Sequence, residues 1–168
     1  MFSVGLKRLP EMLQAGGFVT AAFNTMGNIA GEIGFSRGFD HYFDLFREPA
    51  LVAKRHRLNA AKEGLLHTAE AEIALPLAED INDYLLPWLA GRQTQNTFSF
   101  VWSIETHEPY GVPAPFRRYS GPVYQPGEGE SDDIRSAGKG DRDRLMALYD
   151  DGIFYNDHCL GQLVAELK

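Results

Sequence analysis

TFSFVWSIETHEPYGVPAP, residues 97–115, is the stretch that decides the fold. Its first eight residues alternate large apolar side chains with smaller ones and carry no charge, a pattern typical of a β-strand. The pattern predicts a strand that is covered on both faces, as strands of parallel sheets are. Polar residues follow at once, from Glu105 to Tyr110. Because open α/β sheets bind ligands beyond the carboxyl ends of their strands, the sequence predicts an α/β fold with its site here.

His107 is the leading candidate for a catalytic residue in this segment. An imidazole changes charge near neutral pH, so it can bind an anionic oxygen or pass a proton to a leaving group. The alternative interpretation is a loop histidine that is hydrogen-bonded to backbone. Glu105, Thr106, Glu108 and Tyr110 are candidate substrate-binding residues, although two acids three positions apart on a loop are commonly just solvated.

Other segments supply the remaining elements of an α/β sheet. Residues 7–15 have helical spacing of apolar side chains and residues 18–23 form a β-favouring run, which together predict a helix followed by a strand. Residues 24–47 predict a long loop that phenylalanine side chains hold to the body. Further helices are predicted over 49–72, 78–90 and 141–168, and a polar, glycine-rich loop over 120–141. The helix over 78–90 has one apolar stripe: Ile81, Leu85, Trp88 and Leu89. The helix over 141–168 is weakened by Gly152 and has these apolar residues on or near one face: Leu145, Leu148, Tyr149, Ile153, Leu160, Leu163, Val164 and Leu167.

The composition narrows the class of protein. A length of 168 residues suits one domain, and 44% hydrophobic residues are enough for a core. A net charge of −7 argues against nucleic-acid binding, which needs clustered Lys and Arg. Neither a signal-peptide core nor an apolar run of the ~20 residues that a membrane span requires is visible. These features predict a soluble chain, and its localisation stays unknown. The lone cysteine, Cys159, excludes an internal disulfide.

Four stretches, in chain order, resemble the sulfatase family of the alkaline-phosphatase-like superfamily. They are LPEMLQAGGFVTAAF at 9–23, GFSRGFDHYFDL at 34–45, THEPY at 106–110 with P-x-P-F at 113–116, and YDDGIFYNDHCLGQLVAELK at 149–168. The resemblance implies a partial alkaline-phosphatase-like sandwich of parallel strands flanked by helices. It also implies sulfuric ester hydrolysis, with His107 similar in position to the family histidine that contacts the sulfate ester and assists the leaving oxygen.

The chain departs from the family pattern at the nucleophile and at the metal. Complete members use formylglycine, made from a cysteine or serine in C/S-x-P-x-R, together with calcium, and this sequence contains no such motif. Asn24 to Asn28 stands where many members have G-K-W-H, with its anion-binding Lys and His. Asp40, His41 and Asp44 do not match the family's metal motif. We therefore expect residues 1–168 to be one incomplete domain, without a metal or cofactor of its own and inactive in isolation.

Two further interpretations stay open. One is a phosphoryl-transfer or phosphodiesterase relative from the same superfamily, and the other is a non-catalytic binding or assembly module. For the complete enzyme, the partner implied is a sulfated small molecule or carbohydrate. An incomplete sheet also predicts self-association through its unpaired edges.

Overall fold

The computed structural model describes residues 5–54, 76–107, 110–121 and 139–167. Its helices are α1 (Leu9–Ala15), α2 (49–54), α3 (Ala78–Ala90) and α4 (Lys139–Glu166), and its strands are β1 (Val19–Asn24), β2 (His41–Asp44) and β3 (Thr97–Trp102). The helix predicted over 49–72 is present over 49–54, and the rest of it lies outside the described residues. So does most of the predicted glycine-rich loop, whose last residues instead begin α4. Within the described ranges, no helix has the length and apolar character that a bilayer crossing requires.

The three strands form one parallel sheet in the order β2-β1-β3. Ala22 of β1 lies beside Tyr42 of β2 and Phe100 of β3, which fixes the register of the sheet. Parallel strands cannot be joined by tight turns, so each connection crosses over the sheet, and α3 lies in the connection that leads to β3. The predicted α/β class, with parallel strands flanked by helices, is confirmed.

One strand lies where the sequence predicts only a loop. The interpretation of residues 24–47 as a long loop is wrong at β2, which pairs with the second half of β1. The predicted aromatic anchoring is present, because the ring of Phe43 stacks on that of Phe23 with 4.8 Å between centroids. A strand of four residues offers too few alternations for a sequence pattern to distinguish it from a loop.

The sheet face that carries Phe23 and Phe43 packs against α3. The buried core there comprises Ala21, Phe23, Leu45, Leu51, Ile81, Leu85 and Trp88. Three of these residues belong to the apolar stripe that the sequence predicts for α3, so that stripe is confirmed. The helix also runs unbroken from Ala78 to Ala90, with Pro87 inside it.

β3 is an edge strand among the described residues, and the prediction that both of its faces are covered is wrong. Phe100, Val101 and Trp102 are 37%, 42% and 41% exposed. The physical reason is that no described strand pairs with β3 on the side away from β1. A strand with one neighbour lies at the margin of the layers that pack on the sheet, so its side chains are only partly covered.

α4 buries a different stripe from the one that the sequence predicts. Leu145, Leu148, Tyr155 and Cys159 are buried. Four apolar residues that the sequence predicts on the same face as Leu145 and Leu148 are between 45% and 57% exposed: Ile153, Leu160, Val164 and Leu167. These four residues, named here the outer stripe of α4, lie roughly a third of a turn around the helix from the buried face.

Gly152 allows α4 to approach the loop that follows β3. A Cβ at this position would overlap the carbonyl oxygen of Glu105 and lie 3.1 Å from its carbonyl carbon. Only glycine leaves that space empty. The sequence shows Gly152 as a weak point in a helix, and the structure shows that it permits a backbone contact between α4 and Glu105.

We expect Gly152→Ala to lower the free energy of unfolding by about 1–3 kcal/mol, the usual cost of forcing a methyl group into a packed site. The cost of this contact acts against the gain in helix propensity, which is roughly 1 kcal/mol when Ala replaces Gly in a helix interior. Gly161→Ala in the same helix is the matched control, because a Cβ there would meet nothing within 4 Å. Urea unfolding should show a higher free energy of unfolding for Gly161→Ala than for wild type. An equal increase for Gly152→Ala would show that the close contact with Glu105 is unimportant.

Candidate functional site

The carboxyl ends of all three strands meet at one edge of the sheet because the strands are parallel. These ends are Asn24, Asp44 and Trp102. From Trp102 the chain continues into a turn in which the backbone nitrogen of His107 donates a hydrogen bond to the carbonyl oxygen of Ile104, with 2.8 Å between the atoms.

The turn places His107 just beyond the carboxyl end of β3. Ile104 and Glu105 are buried and anchor the turn, whereas His107 is exposed to solvent. His107 therefore lies at the edge where open α/β sheets bind ligands. That position is the one expected for His107, and its contact with a substrate stays a prediction.

Glu105 is turned inward, toward the start of α3. One carboxylate oxygen accepts a hydrogen bond from the backbone nitrogen of Ala78, the first residue of that helix. The other oxygen, Oε2, is buried and has no hydrogen-bond partner among the described residues. Burial raises the pKa of the Glu105 carboxyl. The structure thus gives Glu105 a role in joining β3 to α3, and its predicted contact with substrate stays a prediction.

The other predicted substrate-binding residues are divided between two surroundings. Thr106 is half-buried and lines a groove between β3 and α4. Tyr110 is half-buried on the other side of the turn, where its ring meets that of Tyr149 edge-on at 6.0 Å between centroids. Glu108 lies outside the described residues. The structure therefore brings Thr106 and His107 onto one turn and places Tyr110 against α4.

Asn24 and Asp44 tie together the loop that follows β1. The side-chain nitrogen of Asn24 donates to Oδ1 of Asp44 at 2.9 Å and to the carbonyl oxygen of Met26 at 2.8 Å. Oδ2 of Asp44 accepts from the backbone nitrogen of Gly31 at 3.0 Å. Sequence reasoning missed this network, although one signal was available: a polar residue stands at the end of each of two strands. Asn24 therefore has a structural role, because it joins the loop after β1 to the end of β2.

Asp40, His41 and Asp44 do not assemble into a cation site. Both carboxylates are hydrogen-bonded to the chain, and that of Asp40 accepts from the backbone nitrogen of Thr20 at 2.8 Å. His41 lies 3.1 Å from Arg92, between Nε2 and Nη2. Across the described residues, no three His, Cys, Asp or Glu side chains form a group that could hold a metal ion. The described residues therefore do not fit calcium, and no step proposed below involves a metal.

Cys159 lies in the packing face of α4 beside Tyr155. Burial raises the pKa of the Cys159 thiol to about 11. The thiol is consequently protonated at neutral pH, and the thiolate is the nucleophilic form of cysteine. The interpretation of Cys159 as a packing residue agrees with this environment.

Asp151 holds the segment 110–121 on α4. Its carboxylate is fully buried and accepts hydrogen bonds from three successive backbone nitrogens, those of Arg118, Tyr119 and Ser120, at 2.8, 2.8 and 3.0 Å. Sequence reasoning missed this residue as well. The available signal was its spacing, because Asp151 falls on the same helix face as Leu148 and Tyr155.

The protein family follows from comparison with known sequences. The family model described as Sulfatase matches residues 5–168, nearly the whole chain. This chain belongs to the sulfatase family. No curated protein and no solved structure gives a significant match. The parallel sheet flanked by helices is consistent with part of the fold of sulfatases, and His107 occupies the turn beyond β3 in this sulfatase-family chain.

Replacing Glu105 with Gln should raise the free energy of unfolding at neutral pH, and the gain should shrink toward pH 4. The folded pKa of Glu105 is raised, so its protonated form stabilises the fold below the unfolded pKa of about 4.3. That stabilisation is lost as pH rises through the folded pKa. Gln still offers an oxygen to Ala78 and never ionises.

Urea unfolding of wild type and Glu105→Gln between pH 4 and 8 measures this difference. Glu11→Gln is the control of opposite sign, because hydrogen bonds from the Arg8 backbone and the Arg37 side chain lower the pKa of Glu11. Wild type should be the more stable of that pair above pH 4.3, with its advantage lost as pH falls through the lowered folded pKa. If the difference in unfolding free energy between wild type and Glu105→Gln does not change with pH, the raised folded pKa of Glu105 is contradicted.

Proposed function

We propose that this chain forms part of a sulfuric ester hydrolase and that His107 contacts the oxygens of the ester. The observation that carries the proposal is the exposed imidazole on an anchored turn at the carboxyl edge of the sheet, in a chain of the sulfatase family. A sulfate monoester presents anionic oxygens and a leaving oxygen that must gain a proton. One imidazole can serve both, because it can donate a hydrogen bond to an anionic oxygen and pass a proton to the leaving oxygen.

Anchoring of the turn is what would make His107 useful for catalysis. Ile104 and Glu105 are buried on its amino-terminal side, and the hydrogen bond to Ile104 closes the turn. A side chain on a fixed backbone loses little freedom when it binds a ligand, so more of its interaction energy remains for the reacting group. Glu105 acts here as a positioning residue, through the backbone that it fixes.

The proposed substrate class is a sulfated small molecule or carbohydrate. Thr106 shares the turn with His107, and Tyr110 follows it, so their hydroxyl groups are the candidates for contact with the organic part of the ester. Glu108 is a further candidate from its position in the sequence. Hydroxyl and carboxylate groups suit a carbohydrate, because they hydrogen-bond its hydroxyls.

The 168-residue polypeptide is proposed to bind such an ester without turning it over. No C/S-x-P-x-R motif occurs in the sequence, and the thiol of Cys159 is buried and protonated. Formylglycine and calcium belong to the proposal only for a complete family member. A phosphate monoester carries similar oxygens, so a phosphoryl-transfer relative is the alternative that the binding experiment must separate.

Addition of 4-nitrophenyl sulfate to the purified chain should shift the ring resonances of His107 in a ¹H–¹³C NMR titration. We expect His107→Ala to weaken binding about tenfold, which equals about 1.4 kcal/mol and is typical of one charged hydrogen bond. His158→Ala is the matched control, because His158 is also exposed but lies on α4. Stronger shifts with 4-nitrophenyl phosphate would favour the phosphoryl-transfer relative, and no shift with either ester would remove His107 from the site.

Release of nitrophenol from either ester should stay at the rate of the buffer alone when the 168-residue chain is added. The absorbance of nitrophenolate at high enzyme concentration measures this. Turnover that His107→Ala abolishes would refute the proposed inactivity while supporting the assignment of His107. The two experiments therefore test the residue and the inactivity separately.

A further inference from the structure

We propose that Asp151 is a positioning residue for His107. Its carboxylate fills an anion-binding cradle of backbone nitrogens in the segment that follows the His107 turn, and these bonds fix the turn from its carboxyl-terminal side. The assignment rests on the proposed function, because the site to be positioned is the ester site, but its first test needs no ester.

Three successive backbone N–H groups converge on the carboxylate of Asp151. Those of Arg118 and Tyr119 donate to Oδ1, both at 2.8 Å, and that of Ser120 donates to Oδ2 at 3.0 Å. Successive N–H groups that point at one anion form a nest, which is a concave site for carboxylate or phosphate oxygens. Hydrogen bonds to a charged acceptor are roughly twice as strong as those between neutral groups. Residues 118–120 are thus an anion site, and the native chain supplies its own anion.

Burial makes the carboxylate and the cradle depend on each other. Asp151 is fully buried, and Ser120 is buried beside it. A buried carboxylate is costly unless hydrogen bonds satisfy it, and buried backbone N–H groups carry the same requirement. Without the carboxylate, these N–H groups would have to reach water, which requires the segment to leave α4. We therefore expect residues 118–120 to separate from α4 when the carboxylate is removed.

The same part of α4 holds the chain on the amino-terminal side of His107. The hydroxyl group of Ser103 donates to Oδ1 of Asn156 at 3.0 Å. Two residues later, the carbonyl group of Glu105 packs on the bare backbone of Gly152. The limb that leads into the turn is therefore attached to α4 at two places, one helical turn apart.

α4 also holds the limb that leaves the turn. The ring of Tyr110 meets that of Tyr149 edge-on, and the ring of Phe116 lies 4.8 Å from that of Tyr155, between centroids. The hydrogen bonds to Asp151 follow, at the end of this limb. Both limbs of the loop that carries His107 are thus attached to about two turns of one helix, residues 149–156.

Among the contacts of the second limb, those of Asp151 determine its position most closely. Aromatic contacts are non-directional sums of weak attractions, so the rings of Tyr110 and Phe116 could slide on α4 at little cost. Hydrogen bonds lose strength steeply when their angle changes. Asp151 directly precedes Gly152, so it sets the second limb relative to the Glu105 contact of the first. That spacing fixes how far the His107 turn is open.

The first experiment records the ring resonances of His107 by ¹H–¹³C NMR in the chain without ester. Asp151→Ala should move them toward those of histidine in a flexible peptide. Formate has the carboxylate that the substitution removes, so its addition should return them, whereas sodium chloride of the same ionic strength should not. Asp150→Ala is the matched control, because it removes the same charge from the neighbouring, exposed position of α4 and should leave the ring resonances unchanged.

Two outcomes of this experiment would overturn the proposal. One is an unchanged His107 ring in Asp151→Ala. The other is formate that restores the amide resonances of residues 118–120 but not the ring of His107, because the cradle would then bind its anion without positioning the turn.

Asp151→Asn is the second variant and keeps the proposal testable if Asp151→Ala fails to fold. Its amide oxygen can replace Oδ1, whereas its amide nitrogen faces the N–H of Ser120, so two donors meet there. We expect hydrogen exchange to accelerate at Ser120 more than at Arg118 and Tyr119, with a smaller shift of the His107 ring. Formate should have no effect, because the cradle is filled. Exchange at Ser120 and ring resonances that both match wild type would overturn the proposal.

The second experiment measures the affinity for 4-nitrophenyl sulfate at a temperature where every variant is folded. Asp151→Ala should bind about fivefold more weakly, because the apparent affinity falls with the fraction of molecules in the competent conformation. Formate should reverse this loss, and wild type in the same formate corrects for competition between the anions. Asp150→Ala should bind like wild type.

A double-mutant cycle separates positioning from an independent effect on binding. If Asp151 acts through His107, Asp151→Ala should cause no further loss of affinity in a His107→Ala chain, whereas additive losses would overturn the proposal. A wild type that binds no ester would refute the proposed function alone. The response of the His107 ring in the first experiment would still decide the role of Asp151.

Discussion

The structure depends on one residue, Glu105, at which β3, α3 and α4 meet. Its carboxylate binds the first backbone nitrogen of α3, and its carbonyl group packs against the bare backbone of α4 at Gly152. A carboxylate at a helix amino terminus is favoured by the helix dipole, and this favourable interaction offsets part of the cost of burying the acid. Because both contacts arise from one residue, the turn after β3 cannot move without disturbing two helices. The exposure of His107, two residues later, follows from that inward anchoring.

The residues around the carboxyl edge are mainly occupied in building the edge. Asn24, Asp44 and Asp151 satisfy backbone groups of loops that have no regular hydrogen bonding of their own. Such groups must find partners when they are buried, and these short polar side chains supply them. Many polar residues at the carboxyl edge therefore have structural roles and are not evidence of a binding site. The imidazole of His107 is exposed beyond β3, and the ester chemistry of this edge is proposed for that group.

The sequence predicted the class of fold because β1, α3 and the turn after β3 have strong local patterns. It missed β2, because four residues give too little alternation, and it misjudged β3, because local pattern cannot say whether a strand has one neighbour or two. The α4 helix was found but its buried side was not, since apolar residues on two adjacent stripes leave the packing face undetermined. Glu105 shows the same limit at the site. From the sequence, an acid two residues before a candidate catalytic histidine suggests a substrate-binding role. Only the tertiary contacts show that the carboxylate of Glu105 lies at the amino terminus of a helix.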